Sequence, residues 1–222
     1  MASPRASHPI LIMRLAKGAT EDGIVIGNTT DKYQSSNPLV SRMMAAFTRS
    51  LEGFVNEVRP ATIHEVGCGE GYWSIYFARR GHNIRGSDFS STVACLAREN
   101  ATAAGLDVDF KVRSIYDLKV AEDQAELVIC CEVLEHLEDP GRALEVLSGL
   151  ATPFLIVSVP REPIWRLLNM ARGKYLSTLG NTPGHLQHWS KRSFLSFLSS
   201  RFQIEGVRSP IPWTMALCRT KR

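Results

Sequence analysis

Glu65-Val66-Gly67-Cys68-Gly69-Glu70-Gly71 decides how the rest of the chain is read. It follows a short β-like run, Thr62–Val66, and precedes a helical stretch, Tyr72–Arg80. Glycines permit a tight turn and let a ligand approach the backbone. The N–H groups exposed at the start of the next helix attract a carboxylate or phosphate. The dinucleotide fingerprint G-x-G-x-x-G needs its third glycine at the position of Tyr72, and this chain has Gly71 instead, which speaks against a nicotinamide-dependent oxidoreductase.

Outward from this loop the pattern alternates. Asn83–Ser87 reads as a strand, Thr92–Ala104 as a helix closed by Gly105, and Val108–Val112 as a strand. Leu127–Cys131 is continuously apolar, as expected of a strand buried on both faces. Pro140–Leu150 is helical and Phe154–Val159 is the fifth strand. This order predicts an α/β fold: a Rossmann-like, seven-stranded, mostly parallel sheet with helices on both faces. Phe202–Val207 and Met215–Arg219 supply the last two strands, behind a helix that starts after Ser190. Upstream, Asn37-Pro38 opens an amphipathic helix through Leu39, Met43, Phe47, Leu51, Phe54 and Val55, which ends before Pro60. Residues 1–31 lack periodicity and are expected to form a tail; 32–222 form a single domain. After Pro160 the alternation breaks, and residues 161–190, with a helix at Ile164–Ala171, are expected to form a helical cap above the carboxyl edge of the sheet.

Composition agrees with an ordinary soluble globular protein. Of the 222 residues, 44% are hydrophobic and 22% charged, which excludes a disordered, collagen-like or coiled-coil chain. No apolar run reaches the roughly 18 residues of a membrane span, and no signal-peptide core stands out, so a cytoplasmic protein is the expectation. A net charge of +4 with mixed signs is far from a nucleic-acid stripe, so no nucleic-acid partner is expected. Cys68, Cys95, Cys130, Cys131 and Cys218 are odd in number and include no CxxC pair, which predicts reduced, mostly buried thiols.

Asp88 ends the second strand about 20 residues after the glycine loop, where a carboxylate can hold ribose hydroxyls; the alternative is a cap on the next helix. Glu65–Gly71, Asp88, Ser114-Ile-Tyr-Asp117 and Cys131-Glu-Val-Leu-Glu-His136, in this order, resemble the successive motifs of class I S-adenosylmethionine-dependent methyltransferases. The subgroup most resembled contains the small-molecule and quinone O-methyltransferases. The resemblance implies S-adenosylmethionine as cofactor. It also implies a cofactor site of Glu65, Gly67, Gly69, Gly71, Asp88, Phe89, Ser114, Ile115 and Glu132, and an N-terminal lid helix with Tyr33 over the cofactor. Ser114 stands where relatives often carry Asp, and Tyr33 fits an ordinary packing role equally well.

Glu132, Glu135 and His136 follow the buried strand directly. On a helix, positions i, i+3 and i+4 share a face, and two carboxylates with an imidazole suit a divalent ion. His185 or His188 from the cap is the candidate fourth ligand. The string also resembles the metal site of small-RNA 3′-end methyltransferases and metal-assisted quinone O-methyltransferases, which implies the set Glu132, Glu135, His136 and His185 around Mg²⁺ or another divalent metal. Two other readings remain open: a metal-free site with His136, His185 or His188 as general base, and a purely structural string. The activity expected is methylation of a small-molecule acceptor, at a hydroxyl first. The alternatives are metal-independent N- or C-methylation and a non-catalytic cofactor-binding protein of the same fold.

Overall fold

Apolar strands buried on both faces organise the chain, and parallel pairing aligns their carboxyl ends along one edge. In the computed structural model, which describes residues 13–21, 24–28 and 31–221, the elements run β1 (Thr20–Glu21), β2 (Ile24–Val25), α1 (Pro38–Val58), β3 (Ile63–Val66), α2 (Tyr72–Ala78), β4 (Ile84–Asp88) and α3 (Ser91–Ala103). Then follow β5 (Phe110–Val112), α4 (Val120–Asp123), β6 (Ala125–Cys131), α5 (Pro140–Leu150), β7 (Ala151–Pro160), α6 (Ile164–Ala171), α7 (Lys191–Leu198), β8 (Phe202–Arg208) and β9 (Trp213–Thr220). Ile115–Asp117, Leu134–His136 and Leu176–Thr178 are single 3₁₀ turns. The large sheet has the order β5-β4-β3-β6-β7-β9-β8, with β9 antiparallel to both its neighbours. The expected seven-stranded, mostly parallel sheet is therefore observed.

Alternate residues of the central strands feed opposite cores. Val128 and Cys130 of β6 join Leu155 and Val157 of β7 beneath α5 and α7. Leu127 and Ile129 face the other way, with Ile156, against Met44, Phe47, Leu51, Phe54 and Val55 of α1. The expected lid helix, α1, thus lays its apolar stripe on the sheet. Asn37 caps it by accepting from the N–H groups of Leu39 and Val40, with Pro38 at its first turn. Arg59 ends it in the left-handed region at φ 50°, its N–H donating to the Val55 carbonyl, and Pro60, which has no N–H to give, cannot carry the helix further.

The tail expected at 1–31 lies partly outside the described residues, and the described part is not a loose tail. Met13 is buried with Cys68, Ile75 and Phe110. Asn100 accepts from the Arg14 amide and donates to its carbonyl, at 2.8 and 3.1 Å. These are single polar anchors without periodicity, which is why no sequence pattern announces them. Strand ends also run past expectation, as at Ala125 of β6 and Trp213 of β9, because neighbouring strands keep offering backbone partners.

Candidate functional site

The glycine loop wraps the end of β3. The amides of Gly67 and Cys68 donate to the Ser87 carbonyl of β4, at 2.8 and 3.0 Å. Gly67 has φ 74°, and a Cβ there would lie 2.3 Å from Cγ2 of Val133. Gly71 has φ 84°, with Phe110 and Ala97 against it. Gly69 has φ 53° and open space around a notional Cβ, so its backbone is approachable from outside. Beneath the loop, Glu65 is buried and accepts from both the N–H and the hydroxyl of Ser74. Burial pushes its carboxyl up to about 8, against the pull of the Ser74 hydrogen bonds.

Asp88 has one oxygen on the Gly69 amide, at 3.0 Å, and the other on the Ser90 amide, at 3.1 Å. The α3 cap is Ser90, whose hydroxyl accepts from Val93 N–H, so the capping alternative for Asp88 does not hold. Each Asp88 oxygen keeps a lone pair for a further donor. Burial raises this carboxyl above its ordinary value, while the Ser90 and Gly69 amides oppose the shift. Tyr33 stacks on Tyr72, with ring centroids 3.5 Å apart, and meets Trp73 edge-on. Burial, and then the charges of Glu65, Glu70 and Glu132, raise its phenol well above the ordinary range.

Two residues expected at the cofactor also have local tasks. The Ser114 hydroxyl accepts from Tyr116 N–H, and Ile115 is buried in the core beneath α5. The turn after β5 directs both side chains inward or along the chain. Phe89 remains exposed at 41%.

The chain past β6 does not form the helix that would align Glu132 with Glu135 and His136. Glu132 adopts φ 60°, a left-handed conformation unusual outside glycine, and a 3₁₀ turn begins at Leu134. Its carboxylate turns toward β7 and β9: Oε1 accepts from the Ser158 hydroxyl at 2.9 Å, and Oε2 accepts from the Trp213 indole N–H. Burial raises this carboxyl to about 7, against the nearby Lys32 charge and those two hydrogen bonds. Glu132 is therefore outside the donor cluster expected of it.

The cluster that does form is Glu135, His136 and His185, whose donor atoms all lie within 4.8 Å of one another. The segment between α6 and α7 delivers His185. The Glu135 carbonyl accepts from the amides of Leu186 and Gln187, at 2.8 and 3.0 Å, and His136 Nδ1 bonds the Gly184 carbonyl at 2.9 Å. A carbonyl only accepts, so Nδ1 carries the proton and Nε2 offers a lone pair. Trp165 lies against His185 at 5.8 Å, its own N–H donating to Thr182. Burial lowers His136, and burial with the neighbouring His136 and His188 lowers His185 to about 3. Glu135 is 1% exposed, and neither carboxylate oxygen has a hydrogen-bond partner. Burial, and then Glu132, hold its carboxyl well above the usual range. His188 is exposed, with Nε2 on Asn181 at 2.7 Å, and is not part of the cluster.

Sequence reasoning missed Ser74, Ser158, Trp165 and Trp213, because each reaches the site from an element without a motif. No helix among the described residues is long and apolar enough to cross a membrane.

Comparison with known proteins agrees with this architecture. Residues 63–153 match the methyltransferase domain family. The ubiquinone biosynthesis O-methyltransferase of Hahella chejuensis is 30% identical over 131 residues, 57% of this chain and 54% of that protein. Its counterpart in Xylella fastidiosa is 28% identical over 170 residues, 69% of this chain and 66% of that protein. The chain thus matches between about half and two thirds of these relatives' own length. Among solved structures, magnesium protoporphyrin IX methyltransferase from Synechocystis superposes with a TM-score of 0.65 at 20% identity, covering 86% of this chain and 91% of that one. A Pyrococcus horikoshii protein reaches 0.68 at 16% identity, covering 85% and 94%.

Proposed function

From the premise that this chain is a class I methyltransferase, with its methyltransferase domain at residues 63–153, we propose that it moves the methyl group of S-adenosylmethionine to a hydroxyl of a small-molecule acceptor, with a divalent ion at Glu135, His136 and His185. The observation that carries the ion is the Glu135 carboxylate, buried with a donor atom within 4.8 Å of one from each of two imidazoles and with neither oxygen partnered. Such groups are rare in folded proteins and ask for a missing partner. One carboxylate and two neutral imidazoles suit Mn²⁺, Fe²⁺ or Zn²⁺ better than Mg²⁺. Relatives named for O-methylation in ubiquinone biosynthesis support a hydroxyl acceptor.

The glycine loop and Asp88 hold the cofactor in this reading. Gly69 offers its open backbone, Gly67 and Gly71 keep the loop tight, and Asp88 accepts ribose hydroxyls on its remaining lone pairs. Tyr33, on the stack with Tyr72, closes the same side. Glu65 acts from below by fixing the start of α2 through Ser74. A bound ion would acidify the acceptor hydroxyl and fix it in place, which favours acceptors with two neighbouring oxygens. Burial favours the neutral form of His136, against the Gly184 hydrogen bond, and Gly184 orients the ring by accepting from Nδ1, so Nε2 is left as a lone pair. Residues 161–190 are the acceptor-side cap: they bring His185 and the Trp165 ring to the site. The same neutral imidazoles support a second reading, in which His136 or His185 takes the acceptor proton without a metal.

Product mass after incubation with S-adenosylmethionine and candidate vicinal diols or catechols tests the reaction. Chelation separates the two readings: it should stop turnover and spare S-adenosylmethionine binding, and added Mn²⁺ should restore the rate. Full activity after exhaustive chelation would leave the histidine base. Asp88→Ala should weaken cofactor binding at least tenfold, since hydrogen bonds to charged groups are worth about 1.5–3 kcal/mol. Unchanged affinity by calorimetry would remove the ribose assignment.

A further inference from the structure

We propose that Trp213 and Ser158 are positioning residues that hold the Glu132 carboxylate off the ion, so that this chain builds a three-donor centre with an open place for the acceptor. The inference rests on the divalent-ion reading above and goes beyond it, because the Glu-x-x-Glu-His string by itself suggests two carboxylate ligands.

Three observations carry it. Both Glu132 oxygens are engaged, one by the Ser158 hydroxyl of β7 and one by the Trp213 indole of β9. The backbone at Glu132 is left-handed, φ 60°, and its amide donates to the Ser158 carbonyl at 3.1 Å. Non-glycine residues hold such conformations only where their surroundings enforce them, and these cluster at working sites. By contrast, the Glu135 oxygens are unpartnered and lie with His136 and His185. Two carboxylates of the same motif are thus sorted: one is satisfied by protein donors and one is left for a cation.

The sorting has a chemical consequence. A dication facing one carboxylate and two neutral imidazoles keeps a net positive charge, whereas a second carboxylate would cancel it. That residual charge draws an acceptor oxygen and favours its anion. Trp213 is well placed for the task because its ring is wedged against Phe47 of α1 and Trp165 of α6, with centroids 5.1 and 6.0 Å away. Its indole N–H therefore has little freedom to leave Glu132.

Calorimetric titration of the full chain with Mn²⁺, without acceptor, tests this. Glu135→Gln, which removes a direct ligand, should weaken Mn²⁺ by more than the roughly 10–100-fold lost when only an outer-shell support of a metal site is removed, while Glu132→Gln should leave the affinity nearly unchanged. Trp213→Phe removes the indole donor and should tighten Mn²⁺ several-fold while raising the acceptor KM and sparing S-adenosylmethionine affinity. Ser158→Ala should act in the same direction, and it decides the matter if Trp213→Phe fails to fold. Equal losses in Glu132→Gln and Glu135→Gln would make Glu132 a standing ligand and overturn the inference, with the ion reading intact. Unchanged Mn²⁺ affinity in folded Trp213→Phe and Ser158→Ala would overturn it too. Absence of Mn²⁺ binding to the unmodified chain would remove the ion reading and the inference together.

Discussion

Glu135→Met should stabilise the metal-free protein and remove its response to metal. Methionine keeps the length and shape of the side chain but brings no carboxylate into a site where both oxygens lack partners. Leaving a buried polar group unsatisfied costs about 1–3 kcal/mol, more when charged. Near the melting point, a domain of this size shifts by about 2–4 °C per kcal/mol. In chelator, the variant should therefore melt roughly 2–12 °C above the unmodified chain. Saturation reverses the order: at about 1,000 times the dissociation constant, bound metal adds about 4.1 kcal/mol, which lifts the unmodified chain above Glu135→Met and leaves the variant where it was. Thermal melts with chelator and with Mn²⁺, on both proteins, read the crossing directly. A variant that melts below the unmodified chain in chelator would mean that the carboxylate is satisfied without a cation, and the reasoning fails.

Three other outcomes follow from the same geometry. Gly67→Ala forces a Cβ to within 2.3 Å of Val133 Cγ2 at φ 74° and should cost about 2–5 kcal/mol in urea unfolding; adding Val133→Ala should recover part of that, and strictly additive losses would refute the clash. His64 is buried, with Nδ1 on the Asp123 carbonyl and Nε2 on the Ser87 hydroxyl, and burial holds it down at about 4 against the upward pull of the Asp123 hydrogen bond. The folded chain then binds fewer protons than the unfolded one between pH 4 and 6.5, so stability is lost as pH falls through that window, by up to about 3 kcal/mol. His64→Gln should flatten that part of the curve, and an unchanged pH dependence by denaturant titration would exclude the assignment. His185→Ala should abolish Mn²⁺ binding while His188→Ala leaves it near normal, because only the first joins Glu135 and His136; the reverse order in calorimetry would mean that the cap docks differently.

Much of this protein was legible from local chemistry. Gly67, Gly69 and Gly71 are recognisable because positive φ at three nearby positions is something few other residues tolerate. Leu127–Cys131 announces a strand buried on both faces because every residue of it must leave water, whichever face it takes. Asn37-Pro38 and Ser190 mark helix starts by satisfying amides two or three residues away. Fold class, the alternation of strands and helices from β3 to β7 and the neighbourhood of Asp88 all rest on such short-range or periodic constraints, and the sequence by itself determines them.

The division of labour between Glu132 and Glu135 is of another kind. The two carboxylates are chemically identical and three residues apart, and helical spacing would have put them on one face. Only the tertiary structure separates them, because the donors that satisfy Glu132 come from Ser158 and Trp213, on strands 26 and 81 residues further along the chain. The choice of His185 over His188 likewise depends on the backbone contacts that seat the cap on Glu135 and His136. A motif specifies which groups are available; which of them remain unpartnered depends on what the rest of the fold brings alongside, and that is decided by packing between elements distant in sequence.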